Sequence, residues 1–212
     1  MVPLNDRERR AIAAAPVFDE QLKEELWLKR TEGNGKRLDE LINLPALNVR
    51  GISSAGVGAQ SRNVIPTSAT ASLEIRLVKG MDSRRAVGKF IAHIRSQGYY
   101  VTEHEPDAAT RLQYPKVAWV QPGDGYNGVR ADMDLPIAQK VVRAVESARG
   151  KVVLLPTLGG SLPLAVFEEV LGAPVIVVPI ANHDNNQHGH NENIRLQNLW
   201  DGIETMAALL VL

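Results

Sequence analysis

The clearest rhythm in the chain lies in "ATASLEIRLV" (69–78). Ala69, Ala71, Leu73, Ile75 and Leu77 alternate there with Thr70, Ser72, Glu74 and Arg76, the period of two that turns one face of a strand inward and the other to water. "ALNVRGIS" (46–53) predicts a preceding strand, and the glycine-rich, polar stretch "SAGVGAQSRNVIP" (54–66) a loop between the two. Helical spacing follows. Asp82 or Ser83 can cap a helix that carries Val87, Phe90, Ile91 and Ile94 on one face and ends at Gly98. "YYVTEHEP" (99–106) returns as a strand. Strand, strand, helix, strand is an α+β unit whose sheet keeps one face open to solvent or a partner.

The flanks read differently. Asn5 followed by Glu8 predicts a capping box and a short helix through Ala15, stopped by Pro16; Phe18, Leu22 and Leu26 then repeat at helical spacing before the loop "TEGNGK" (31–36). Farther on, Asp134 with Pro136 opens a helix to Arg149, and Gly150 ends it. "KVVLLP" (151–156) predicts a short apolar strand, "GGSLPLAVFEEVLG" (159–172) turns into a second helix, and "PVIVVPI" (174–180) has the continuous apolar run of a strand buried on both faces. A last helix carries Leu199, Ile203, Met206 and Leu210. Alternating helix and strand predicts a parallel α/β layer, with a boundary between the two units inside 112–125.

Composition narrows the chemistry. The chain has 212 residues, 24 basic and 24 acidic, with a formal net charge of zero. It therefore lacks the electrostatic footprint that drives binding to nucleic acids or anionic membranes. There is no cysteine, so a metal would have to use His, Asp or Glu. The apolar runs fall short of a membrane span and the N-terminus has no apolar signal core, which predicts a soluble chain with the cytoplasm favoured as its compartment.

Three of the five histidines, His183, His188 and His190, stand in "NHDNNQHGHNEN" (182–193), after a predicted buried strand. Sheets of α/β proteins place their sites at such strand ends. The same pattern fits a polar surface loop whose histidines merely titrate, or a mononuclear site built from all three. The pairs Glu24–Glu25 and Glu168–Glu169 fall on amphipathic helices and read as solvated faces.

Three stretches, in order, carry a family resemblance. "HGHNENIR" (188–195) resembles the His-x-x-Asn-Glu segment of the dinuclear zinc exopeptidases and amidohydrolases that include carnosinase, carboxypeptidase G, succinyl-diaminopimelate desuccinylase and acetylornithine deacetylase. "LGGSLPLAVFEEVLGAPVIVVPI" (158–180) resembles the Gly-Ser-x-Pro helix start and core strand of the carnosinase-like branch, and "SRNVIPTSATASLEIRLV" (61–78) resembles that family's lid strand. The resemblance, over roughly 45–210, implies His188 as a zinc ligand in a two-zinc site. It implies substrate-binding roles for Asn63, Arg76, Gly160 and Ser161, with Arg76 and Asn63 on a substrate carboxylate or scissile carbonyl and Gly160 and Ser161 at a helix N-terminus. It does not carry His183 or His190 over as ligands.

The family's His-x-Asp pair, bridging Asp and Glu-Glu pair of general base and ligand find no match here. Residue 1 accordingly reads as beginning inside the lid. The resemblance implies a C-terminal part of such an enzyme: an α/β fold with an α+β lid, comprising a partial zinc-exopeptidase catalytic domain and a ferredoxin-like dimerisation domain, the N-terminal half absent. Its divisions would be a helical connecting segment at 1–44, a lid or dimerisation domain at 45–115 and a catalytic-domain segment at 116–212. The implied function is a portion of a zinc-dependent hydrolase of dipeptides or N-acyl amino acids, inactive alone and homodimeric through the lid. A non-catalytic binding module and one half of a split enzyme are the alternatives.

Overall fold

The computed structural model describes residues 1–212, which form two compact units. The first contains Met1–Val2, Leu44–Gly128 and Ser161–Ala165; the second contains Pro3–Asn43, Val129–Gly160 and Val166–Leu212.

In the first unit β1 (Ala46–Ser53) pairs antiparallel with β2 (Thr70–Arg76). Leu47 faces Ile75, Val49 faces Leu73 and Ile52 faces Ala71, which gathers the apolar side chains of both strands on one face. The step from Val49 to Ile52 breaks strict alternation, and a register shift between Val49 and Gly51 absorbs the extra residue. This bulge returns Ile52 to the apolar face. Next come α4 (Ser83–Ser96), capped by Asp82 through the Arg85 N–H at 2.7 Å, then β3 (Tyr100–Thr102), α5 (Ala108–Gln113) and β4 (Val117–Trp119). β3 and β4 pair parallel, and Tyr100 stacks on Tyr114 with ring centroids 3.8 Å apart. α5 and β4 were not expected from the sequence, and the sheet of this unit is two separate strand pairs, not one ferredoxin-like sheet.

The second unit begins with α1 (Asp6–Ala14), where the expected capping box forms: Asn5 Oδ1 accepts from the Glu8 N–H at 2.9 Å, and Glu8 Oε2 accepts from the Asn5 N–H at 2.7 Å. The other oxygen of Glu8 meets Arg130 Nε at 2.8 Å, with the two side chains only 4% and 5% exposed. Arg37 donates to the carbonyls of Ile12, Ala15 and Pro16, placing a cation on the acceptors where α1 ends. α2 (Asp19–Glu25) and the single turn α3 (Leu38–Leu41) follow. α6 (Pro136–Arg149) opens on its proline, ends at Gly150, and packs against α8 (Leu196–Leu210), with Arg149 bonded to Asp201 and Glu204. A shorter helix, α7 (Ala165–Leu171), precedes α8.

The expected parallel layer does not form, because 151–156 and 174–180 pair with no strand. An apolar run becomes a strand only through a hydrogen-bonded neighbour, and Pro156, Pro174 and Pro179 each remove a ladder donor. The end of the second segment docks on α8 instead. Asn198 donates to the Ile180 carbonyl at 3.1 Å, and Ile180 lies so near Gly202 that a Cβ there would come within 2.9 Å of it. Val177 is 43% exposed, so the run is not buried on both faces. The expected fold class is corrected accordingly. Regular elements form a continuous mixed α/β architecture from Asp6 to Leu210, in which α1 belongs to the same unit as α6 and α8 in place of a separate connecting segment.

A polar clasp holds the histidine loop that leads into α8. Buried Asn182 donates through Nδ2 to Asp184 Oδ1 at 2.7 Å and accepts the Arg195 N–H at 3.0 Å, while Arg195 Nη2 meets Asp184 Oδ2 at 2.5 Å. The Asn193 N–H closes on the Asn185 carbonyl at 2.9 Å. The Asn182 hydrogen bond lowers the Asp184 carboxyl below the ordinary aspartate value. Its own backbone N–H and the charges of Arg195 and His183 act in the same sense, against a smaller upward push from desolvation.

Two outcomes follow from these contacts. Glu8→Ala removes both the buried contact to Arg130 Nε and half of the capping box and is expected to cost about 3 kcal/mol in urea unfolding, whereas Asn5→Ala loses only a cap, about 1 kcal/mol. Equal losses would mean that the ion pair contributes nothing beyond the capping box. For Asp184, whose folded value lies below its unfolded one, the stabilisation is complete above the unfolded value and disappears as pH falls through the folded value. NMR signals of the Asn182 amide and the Arg195 guanidinium should therefore stay fixed from neutral pH down to the ordinary aspartate range and move only below it. A midpoint above that range would contradict the clasp.

Candidate functional site

Period two along β2 sets Glu74 and Arg76 on the same face, and the pairing of Asn48 with Glu74 and Ala46 with Arg76 holds them there. The Arg76 guanidinium is shared. Nη1 donates to Ser161 Oγ at 2.6 Å, and Nη2 lies 3.2 Å from Glu74 Oε1. Arg76 and Ser161, 85 residues apart in the chain, thus meet within the first unit. Side-chain exposures of 42% for Arg76 and 31% for Glu74 leave the pair open to a ligand from solvent. A fork of guanidinium donors beside a hydroxyl suits a carboxylate or a polarised carbonyl.

The other residues singled out in the sequence are placed differently. Asn63 lies exposed in the loop between β1 and β2, beside Val64 and Ile65, and is not a hydrogen-bond partner of Arg76 or Ser161. Gly160 and Ser161 do not start a helix. α7 begins only at Ala165, so the backbone N–H groups at its N-terminus belong to later residues. Pro163, two residues ahead of Ala165, has no N–H to donate and holds this approach out of the helix.

His188 occupies a tight turn of the clasped loop at φ 64°, where its N–H reaches Glu192 Oε2 at 3.4 Å. Asn186 donates from its side chain to the His190 carbonyl, and a Cβ at Gly189 would meet Asn186 Oδ1 at 2.7 Å, so any larger residue there would push the Asn186 side chain aside. His183 turns toward Glu25, with Nε2 3.7 Å from Oε2. The three histidines do not converge, and nowhere in the chain do three His, Asp or Glu side chains gather as a metal site requires. Two features escaped the sequence reading. Glu74 was visible on the polar face of β2 without a role, and the two-residue spacing to Arg76 was its signal; Asn182, Asp184 and Arg195 left no local signature as a clasp. No helix is long and apolar enough to cross a membrane.

Comparison with known proteins supplies the wider frame. The chain is 25% identical to the Cys-Gly metallodipeptidase DUG1 of Saccharomyces cerevisiae over 99% of its own length and 42% of that protein's. It is 23% identical to the Beta-Ala-His dipeptidase of Homo sapiens, over 100% of this chain and 40% of the relative. Among solved structures it resembles the M20 family metallo-carboxypeptidase Sso-CP2 from Sulfolobus solfataricus, with a TM-score of 0.78 at 21% identity, covering 99% of this chain and 45% of that one. Human carnosine dipeptidase 1 gives a TM-score of 0.70 at 20% identity, covering 99% of this chain and 43% of that one. The chain thus spans less than half the length of the relatives it matches.

These matches correct two expectations. The likeness runs through 99% of the chain instead of covering only roughly 45–210, which corrects the expectation of a partial match that begins at the lid. The same full-chain coverage counts against the reading as an inactive partial portion. The model of peptidase family M20/M25/M40 matches residues 20–211, and the chain belongs to that family of zinc-dependent metallohydrolases.

Proposed function

We propose that this protein is a hydrolase of amide bonds in small peptides, dipeptides first among them, and that Arg76 with Ser161 receives the substrate's terminal carboxylate. The observation that carries the reading is the 2.6 Å hydrogen bond from Arg76 Nη1 to Ser161 Oγ, which pre-orients the guanidinium at an exposed site. The dipeptidase names of two relatives support the substrate class. Asn63, on the loop ahead of β2, is proposed as a second substrate contact and Gly160 as a backbone neighbour of the clamp residue Ser161. Residues 45–115 are proposed as a lid and dimerisation domain. In support, β1 and β2 form a two-stranded ribbon with both outer edges outside any ladder, and Leu47, Val49 and Ile52 are more than half exposed on it.

Zinc in this family polarises a carbonyl and supplies hydroxide at neutral pH. The residues of this chain do not fit it as placed, since no three ligands gather, and no step is assigned to the metal. His188 is proposed as a metal ligand on its place in His-x-x-Asn-Glu alone.

The clamp is tested by NMR titration of the purified chain, kept in chelator to prevent turnover, with alanyl-alanine and with its C-terminal amide. Arg76→Ala should weaken binding of the acid about tenfold, the lower end for a lost charge-assisted contact at a half-exposed site, and weaken the amide, which takes a single neutral hydrogen bond, by less. Equal affinities of acid and amide in the unsubstituted chain, unchanged by Arg76→Ala, would sink the assignment. For His188, equilibrium dialysis with zinc should show weak binding that His188→Ala removes and His190→Ala retains. Equal losses from the two substitutions would contradict the choice of ligand.

A further inference from the structure

Within the proposed carboxylate clamp, and resting on that reading, we infer that Glu74 is a specificity-determining residue that holds one arm of the Arg76 fork and competes with the ligand's carboxylate for it. Bidentate capture of a carboxylate needs two guanidinium donors on one side. Here Nη2 already faces Glu74 Oε1 at 3.2 Å, while Nη1 is engaged by Ser161. A ligand carboxylate that takes the Nη2 side of the fork therefore competes with Glu74 and accepts a like charge beside it. A neutral carbonyl needs only one donor and meets neither cost.

The contact is built to be exchangeable. Glu74 and Arg76 are neighbours by the period of the strand, so no loop has to reorganise when they part. Their pairing is a single contact between side chains 31% and 42% exposed, the class of ion pair whose net worth is small and salt-dependent. The ladder keeps both residues on the same face through Ala46 and Asn48, so Glu74 stays within reach of the fork after displacement. The result is a clamp with formal charges balanced before the ligand arrives, which lowers its preference for acids over amides.

The ratio of affinities for alanyl-alanine and its C-terminal amide reads this directly. In chelator and at low salt, Glu74→Gln should raise the acid-to-amide ratio about three- to tenfold, and Glu74→Ser, which vacates the arm, by at least as much; added salt should shrink the gain. A purely structural role for Glu74 would alter both ligands alike. If Arg76→Ala abolishes the preference for the acid while both Glu74 variants leave it unchanged, the clamp stands and the inference about Glu74 is overturned. If neither Arg76 nor Glu74 affects the ratio, both fail together.

Discussion

The register of the β1–β2 ladder is the constraint on which the proposed clamp depends. Side chains alternate with a period of two, so a slip of one residue would send Glu74 and Arg76 to the opposite face and bring Leu73 and Ile75 to the polar one. What prevents the slip is the match of apolar residues across the pair, Leu47 with Ile75 and Val49 with Leu73. The bulge at Val49/Gly51 extends the match to Ile52 and Ala71, which strict alternation would have put out of phase. Arg76 closes the ladder opposite Ala46, and from that end its guanidinium reaches Ser161.

The second unit holds together by a different balance. Its buried apolar side chains are small or few, Ile12, Ala15, Ala138 and Ala144 among them, and no large side chain in the chain is fully enclosed. Polar staples carry more of the organisation. Glu8 spends one oxygen on the capping box and the other on Arg130, and Arg130 also reaches the Pro3 carbonyl through Nη2 at 3.0 Å. A charge buried this way is costly when orphaned, so the pair specifies where α1 sits more strongly than it adds stability. Apolar area is left over: Leu196, Trp200 and Ile203 on α8 and Val170 and Leu171 on α7 are all more than half exposed.

Local signals carried most of what could be read beforehand. The capping box at Asn5, the cap at Asp82, Pro136 opening α6 and Gly150 ending it depend on residues a few positions apart, and the alternation in 69–78 defined β2 before any partner was known. Strands that depend on neighbours were beyond reach. β4 has three residues and exists because Tyr100 pairs with Val117, while 174–180 has a strand's composition and no ladder. The same division applies to the site. Arg76 and Ser161 were singled out separately, but their meeting across 85 residues is a tertiary fact, and so is the failure of His183, His188 and His190 to converge.

The chain uses one chemical device in two ways, and the difference follows from how many contacts are closed. In the histidine loop, Asp184 has both oxygens engaged, by Asn182 and by Arg195, and Asn182 ties back to the Arg195 backbone. Each partner is fixed by another, so opening one bond strains the rest, and the loop keeps its shape. On β2, Arg76 meets Glu74 and Ser161 once each, and nothing links Glu74 to Ser161. An open chain of contacts can give up one member without losing the others. A carboxylate held in a closed ring fixes backbone; a carboxylate held by a single exposed contact can yield its place to another carboxylate, and for that reason Arg76 suits the proposed clamp and Arg195 does not.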